Sequence, residues 1–565
     1  MLSKLTGAAR RSLSAPPTSP ALLKSARSIG TVPRLQAQVA DVSKEKDTGD
    51  NGPLYRGVPV IVPGKPFPGA KVTSTVMSRD REINVVHPVA TAIARDRDEF
   101  WRKVPIWQDV SAKDFLSYRW SVLNTVQGSA KLLRFLTAVV PDQVPGKEPG
   151  TMQTREEFIK DVFDGVTAAT MAIRMTPYIL SRVNWNDPRH DPIIRQFLPM
   201  KSAMIPDHPK LKLDSLHEEA DSPVKGLVHR YADKALFLPT SVCPTYCMFC
   251  TRSYAVGADT DTVTKASLKP TRKRWEEAFA YIESQPGLHD IVVSGGDSYY
   301  LQPDQLSLIG ERLISMPNIK RFRFASKGLA VAPTRILDES DGWVAALIDI
   351  SNKAKRAGKA MALHTHFNHP NEISWISSDA SQKLFEAGVM VRNQTVLLRG
   401  VNDDFDTMST LIRKLADNNI FPYYVYQCDM VEKTEHLRTP LQTILDLEAK
   451  IRGSIAGFMM PSFVVDLPGG GGKRLACSFR SYDRASGVST YMAPAVTGRD
   501  KDNKVYEYFD PIDSLPVDHS PDGSVTERRG RALSQRAQTS SLCGYFGYYE
   551  LWLLWLLWAL WLLWP

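Results

Sequence analysis

Ala235-Leu-Phe-Leu-Pro239 runs into Cys243-Pro-Thr-Tyr-Cys247-Met-Phe-Cys250-Thr-Arg252. The apolar run predicts a buried strand, which puts the cysteines on the loop that leaves it. Three of the chain's six cysteines fall in this one C-x₃-C-x₂-C spacing. Three ligands are an odd number. A structural zinc site takes four, normally from paired arms, and no second arm lies nearby. A [4Fe–4S] cluster also takes four, but its fourth iron can be held by a group that is not protein. Zinc and incidental thiols are the competing readings.

Outward from this stretch, short apolar runs alternate with amphipathic helical patterns. The strands read as Ala235–Pro239, Asp290–Ser294, Arg321–Ala325, Ala360–His366, Val389–Leu398 and Phe421–Cys428. The helices between them read as Trp275–Ile282, Gln305–Ile314, Trp343–Arg356, Ser381–Ala387 and Thr407–Asp417. That alternation predicts an α/β fold with a parallel sheet, a partial (β/α)₆ barrel whose strand-end loops build a site.

The strand ends carry unusual residues. The second strand ends in Ser294-Gly295-Gly296-Asp297, where two glycines let a ligand approach the backbone and Asp297 can accept from an ammonium group. A plain turn is the alternative. The fourth ends in His364-Thr-His366-Phe-Asn368-His369, for which hydrogen-bonding roles fit better than metal binding. The fifth carries Gln394, and the sixth carries Tyr423 and Tyr426 and ends at Asp429. A seventh apolar run, Ser462–Asp466, leads into Pro468-Gly-Gly-Gly-Gly472-Lys473. This is no phosphate loop, because Leu467 and Arg474 stand where that motif needs Gly and Ser or Thr. Lys473 can form a Schiff base with a carbonyl cofactor, or lie on a surface loop. Asp429 and Asp466 would favour a cation between them, or else cap loops.

Upstream, aromatics at helical spacing across Glu99–Trp120 and the S-x-x-D start at Ser111 predict an N-terminal helical domain over 88–224, ahead of a barrel over 225–498. Residues 1–40 carry Lys4, Arg10, Arg11, Lys24, Arg27 and Arg34 with no acid before Asp41. That is the composition of a mitochondrial transit peptide, with a disordered basic tail as the alternative. Residues 41–87 read as a linker and 499–550 as a disordered tail. Residues 551–565 repeat Leu and Trp with Trp at every third position, too short to span a bilayer. They read as a translated simple repeat, or as a membrane-associating tail.

The chain has 565 residues, 43% of them hydrophobic and 23% charged, and a net charge of +9 concentrated at the termini. This suits an enzyme and shows no basic, aromatic-interleaved face for nucleic acid. Sparse cysteines, three clustered and three scattered, exclude a disulfide framework and point to a reducing compartment, the mitochondrial matrix or the cytoplasm.

C-x₃-C-x₂-C with Phe249 before the last cysteine is the signature of radical S-adenosylmethionine enzymes. Together with Leu216–Pro223, Gly226–Tyr231, His366–Glu372, Asn393–Asp403, Pro422–Asp429 and Phe463–Lys473, it resembles the lysine 2,3-aminomutase family over roughly 106–491. The resemblance implies a radical S-adenosylmethionine barrel and three cofactors: a [4Fe–4S] cluster on Cys243, Cys247 and Cys250, S-adenosylmethionine and pyridoxal 5′-phosphate. Ser294, Gly295, Gly296, Asp297, His366 and Gln394 match the S-adenosylmethionine face. Lys473 matches the pyridoxal-phosphate lysine, with Tyr423 and Tyr426 near that cofactor. Arg252 matches the grip on the substrate carboxylate, and Asp429 with Asp466 the pair that holds the ε-ammonium. The implied reaction moves the amino group of L-lysine from C2 to C3, giving L-β-lysine, with an electron donor for the cluster. Lys234 stands where the family has an arginine near the cofactor phosphate, keeping the charge but not the fork. Asp404 stands at a zinc-binding cysteine, so the family's structural zinc is expected to be absent, which leaves a homo-oligomer without that support. A relative acting on lysine for translation-factor modification, glutamate 2,3-aminomutase, and an inactive homologue used as a scaffold are the alternative functions.

Overall fold

The sheet that carries the site is built from nine strands. In a computed structural model, which describes residues 97–266, 268–494 and 504–516, they are β1 (Leu227–Val228), β2 (Lys234–Phe237), β3 (Asp290–Val293), β4 (Arg321–Ala325), β5 (Ala360–Thr365), β6 (Met390–Leu397), β7 (Ile420–Gln427), β8 (Ser462–Leu467) and β9 (Gly472–Leu475). They are ordered by sequence across the sheet, from β9 to β1. β2 to β8 are parallel, while β1 and β9 close the edges antiparallel. The sheet is therefore an open barrel with seven parallel strands rather than six, plus a hairpin partner at each edge. Sequence reading missed β1 because it is two residues long, and β9 because it starts on the last of four glycines.

Between the parallel strands run α3 (Arg272–Ser284), α4 (Pro303–Ser315), α5 (Trp343–Arg356), α6 (Trp375–Glu386), α7 (Phe405–Asp417) and α8 (Leu441–Ile451), after the N-terminal α1 (Gly128–Val139) and α2 (Arg155–Ala168). Local chemistry sets several starts. Thr271 caps α3 through Arg274 N, and α4 opens with Pro303 at its first position. Asp404, at the expected zinc-cysteine position, accepts from Thr407 N at 2.9 Å and caps α7.

The N-terminal region is less helical than expected and is not separate. Beyond α1 and α2 it holds 3₁₀ turns, helices of four to six residues and two small antiparallel ribbons. Its apolar residues join one continuous core with those of the barrel, from Val104 to Leu437. Ser111 does cap a helix, but one of four residues, Ala112–Phe115. Aromatic spacing marked burial correctly; burial came from packing on the barrel. Tyr178 donates to the Glu372 carbonyl at 2.8 Å, and Gln196 Nε2 donates to Glu372 Oε1 at 2.8 Å.

At the other end the expected disordered tail begins too early. Val505–Phe509 forms a strand, β12, which pairs antiparallel with β11 (Val488–Met492), itself paired with β10 (Ser481–Asp483). Tyr506 and Tyr508 are buried in alternation along β12, and Tyr508 OH donates to the Cys428 carbonyl at 2.9 Å, next to Asp429. Residues 1–96, among them the expected transit peptide and linker, and the Leu/Trp repeat lie outside the described residues. Among the described residues no helix is long and apolar enough to cross a membrane.

Candidate active site

Strand alternation builds the cavity. Val292 and Ser294, Arg323 and Ala325, His364 and His366, Gln394 and Val396, Tyr424 and Tyr426 are i, i+2 pairs from five consecutive strands, and all face one cavity of about 310 Å³. Lys234, Thr251, Arg252, Asp429, Asp466 and Lys473 also line it. Ten of the residues expected at the site therefore meet in one place. Tyr423 breaks the alternation. The pairing of β6 with β7 slips between Asn393 and Gln394, so Gln394 lies opposite Tyr424 and Tyr423 is left over as a bulge beside Pro422. The bulge lets consecutive tyrosines line the same cavity, and their hydroxyls bond at 2.9 Å.

Lys473 and Asp466 are direct cross-strand partners on β9 and β8. Lys473 Nζ donates to Asp466 Oδ2 at 2.5 Å and lies 5.6 Å from the Tyr426 ring centre. Burial works against the ammonium, but the Asp466 charge outweighs it and holds Lys473 well above the usual lysine range. Asp429 Oδ2 accepts from Thr251 at 2.5 Å. Burial, then the charge of Asp466, pushes Asp429 up to about 7. The remaining oxygen of each carboxylate, Asp429 Oδ1 and Asp466 Oδ1, is buried without a hydrogen-bond partner. Two buried acceptors in one cavity ask for a donor.

Further cations line the cavity. Lys234 Nζ stands 4.1 Å from the Tyr231 ring centre and has no carboxylate within ion-pair distance among the described residues; burial lowers its pKa. Arg323 pairs with Asp290 at 3.1 Å. Lys473, the unpaired Lys234 and a shelf of tyrosine rings form a donor set that fits a carbonyl-bearing aromatic phosphate such as pyridoxal phosphate.

Arg252 differs from expectation. Its guanidinium grips Glu218 in a fork, Nε to Oε2 at 2.8 Å and Nη2 to Oε1 at 2.7 Å, and Tyr254 OH donates to Glu218 at 3.1 Å. Glu218 is only 4% exposed at its side chain, so a desolvated carboxylate claims the nearest arginine. Nη1 and the second N–H of Nη2 remain for a ligand. Glu218 was visible in the sequence within Leu216–Pro223, yet nothing in its spacing announced a role. Arg323, Tyr424 and Thr251 were missed for the same reason.

Around the cysteines the glycines act on the protein itself. A Cβ on Gly296 would sit 2.5 Å from Val242 N, and Gly295, at φ +102°, leaves no room beside Thr240 O. Gly296 N donates to Thr240 O at 2.6 Å and Asp297 N to Val242 O at 3.0 Å, so the β3 loop locks onto the start of the cysteine loop. Neither glycine nor Asp297 lines the cavity. The Asp297 carboxylate accepts from Tyr299 N at 2.8 Å and Lys327 N at 2.7 Å instead of awaiting an ammonium. Burial raises it to about 6.

The far side of the cysteine loop is held by the N-terminal region, through Tyr246 N to Arg174 O at 3.1 Å and Met248 N to Gln196 O at 2.9 Å. Phe249 stacks on His366 with ring centres 5.8 Å apart, tying the loop to the end of β5. His366 Nε2 is buried without a partner. Cys243, Cys247 and Cys250 are free thiols, which burial pushes up, Cys247 to about 12. Among the described residues no three His, Cys, Asp or Glu side chains converge to hold a single metal ion. Cluster ligands each bind a different iron and need no common centre, so three soft, free thiols on one braced loop are a donor set that fits an iron–sulfur cluster.

No family model matches the chain. It is 36% identical over 374 residues to L-lysine 2,3-aminomutase of Clostridium subterminale, covering 66% of this chain and 80% of that protein. It is 33% identical to L-lysine 2,3-aminomutase of Bacillus subtilis (strain 168), over 66% of this chain and 71% of that one. Glutamate 2,3-aminomutase of Clostridioides difficile (strain 630) is 30% identical over 64% of this chain and 76% of its own length. A solved structure of Streptococcus suis SuiB bound to precursor peptide SuiA aligns over 42% of this chain and 49% of that one at 14% identity and a TM-score of 0.29, too slight an overlap to bear on the fold. The relatives define an aminomutase of the radical S-adenosylmethionine family, an isomerase. The chain belongs to the lysine 2,3-aminomutase family.

Proposed function

We propose that this chain interconverts L-lysine and L-β-lysine, using a [4Fe–4S] cluster, S-adenosylmethionine and pyridoxal 5′-phosphate. One observation carries the choice of substrate: Asp429 and Asp466 share the cavity of Lys473, and each has a buried oxygen without a donor. A lysine ε-ammonium supplies those donors. A glutamate side chain would add a third carboxylate to an acidic pocket, at a cost that burial magnifies.

Cys243, Cys247 and Cys250 would hold the cluster, and Ser294, His366 and Gln394 would face S-adenosylmethionine. Lys473 would hold pyridoxal phosphate, with Lys234 toward its phosphate and Tyr423, Tyr424 and Tyr426 against its ring. When bound, these groups supply a carbon radical and the electron-withdrawing system that lets nitrogen migrate. The residues of the chain do the rest. Asp429 and Asp466 fix the far end of the substrate, and Arg252 Nη1 meets its carboxylate while Glu218 keeps the guanidinium oriented. The tyrosine shelf keeps water from the reacting carbons. The acid-free basic segment 1–40 supports delivery to the mitochondrial matrix.

The test is anaerobic reconstitution of the full chain with iron, sulfide, pyridoxal phosphate, S-adenosylmethionine, a reductant and L-lysine. β-Lysine is expected, and is lost in Lys473→Ala and in Cys247→Ala. 5′-Deoxyadenosine without β-lysine would overturn the choice of substrate. No product despite a loaded cluster would favour an inactive, scaffolding homologue.

A further inference from the structure

A second cavity of about 320 Å³ lies apart from the first and shares no residue with it. One wall is the segment from Arg189 to Ile205; the other is the turn after β6 at Arg399, with His436 and Leu437. Four permanent cations line it: Lys147, Arg189, Arg195 and Arg399. Two are answered by carboxylates. Arg189 pairs with Asp161 at 2.8 Å, and Arg399 grips Asp513 in a fork at 2.5 and 2.9 Å. The side chains of Lys147 and Arg195 have no hydrogen bond or ion pair among the described residues. Asp403 acts on Arg195 only from beyond ion-pair distance, its own Oδ1 accepting Gly400 N at 2.8 Å.

Arg195 is also held in place. A Cβ on Gly400, at φ +67°, would lie 2.6 Å from the Arg195 Cζ, so the missing side chain makes room for the guanidinium. A half-buried, positioned arginine with five unused donors is a costly arrangement for the protein alone and a strong one for an oxyanion. His436 beside it stays neutral near pH 7, burial and the charges of Arg195 and Arg399 lowering it to about 4, so it can donate or accept without adding charge. Leu198, Met200, Ala203, Ile205 and Leu437 complete the walls, giving the cavity an apolar side next to its cationic one.

We propose that this cavity is a second ligand site, taking a small phosphate- or carboxylate-bearing molecule with an apolar body, bound by Arg195 and Lys147. It lies one residue from the cysteine loop, since Gln196 O accepts from Met248 N at 2.9 Å, so occupancy is positioned to be felt there.

The probe is phenyl phosphate, titrated into the full-chain holoenzyme with pyridoxal phosphate bound, so that the phosphate position of the first cavity is filled. Benzoate and inorganic phosphate separate the two headgroups and the apolar part; benzyl alcohol is the neutral control. Saturable binding is expected with phenyl phosphate or benzoate and not with benzyl alcohol, together with slowed amide exchange over 194–205. Arg195→Gln should weaken binding roughly tenfold or more, and Arg195→Lys less. Lys147→Gln, at an exposed position, should weaken it roughly threefold. Should Arg195→Gln fail to fold, Lys147→Gln and the exchange map decide. Unchanged affinity in the variants that fold, no saturable binding by either anion, or protection confined to the first cavity overturns the proposal.

Discussion

Lys473 Nζ lies 2.5 Å from Asp466 Oδ2, across the hydrogen-bonded pair that joins β9 to β8. The lysine expected to carry a cofactor is thus neutralised by one of the two carboxylates expected to hold the substrate. Under the proposed function, Lys473 engaging a cofactor would release Asp466 to act with Asp429, which would couple readiness for substrate to occupation of Lys473.

Lys473→Ala tests that coupling without turnover. The variant leaves Asp466, 5% exposed at its side chain, with neither oxygen paired. A loss of about 1–3 kcal/mol of stability is expected at neutral pH. Urea unfolding of the variant beside the wild type checks it.

Asp429 gives a pH signature. Its pKa of about 7, raised by burial and then by Asp466, means that the native protein keeps a proton which the unfolded chain loses near pH 4. Its contribution to stability therefore falls as pH rises from about 4 to about 7. An ammonium ligand needs the ionised form. Lysine affinity should climb as pH rises toward about 7 and level off above it, and Asp429→Asn should flatten that rise while weakening binding. Calorimetric titration of lysine across this range reads both.

The Arg252–Glu218 fork is testable as a pair. Arg252→Ala strands a buried carboxylate and should cost about 3 kcal/mol. Adding Glu218→Gln to that variant should restore part of the stability but none of the activity. Equal instability in the single and double variants would count against the fork as the cause.

Gly296→Ala should act at the cysteines. Its Cβ meets the backbone of Ser241 and Val242, which cannot yield as a side chain end would. About 1–3 kcal/mol of destabilisation is expected, with iron content after reconstitution well below wild type. Iron and sulfide analysis settles it.

The parallel strands were legible because each is a short apolar run ending in polar residues, and the sequence placed those ends correctly to within a residue or two. The site was legible where chemistry is concentrated: Lys473, Asp429, Asp466 and the cysteines stand out by type and spacing. It was not legible where function depends on partners distant in sequence. Glu218 takes Arg252 from 34 residues away, and Asp297 turns to the backbone of Lys327. The Asn393/Gln394 slip that brings Tyr423 to the cavity needs the neighbouring strand to be seen. The strand Val505–Phe509 was readable from the alternating burial of its tyrosines, but its polar flanks outweighed the pattern.

The central claim is that the acidic pair selects lysine. The most direct measurement offers the reconstituted enzyme L-lysine and L-glutamate together, in equal amounts, and follows both β-amino acids with time. β-Lysine as the dominant product, with that preference lost in Asp429→Asn, is the result expected. β-Glutamate as the main product, or a preference unchanged by Asp429→Asn, would contradict it.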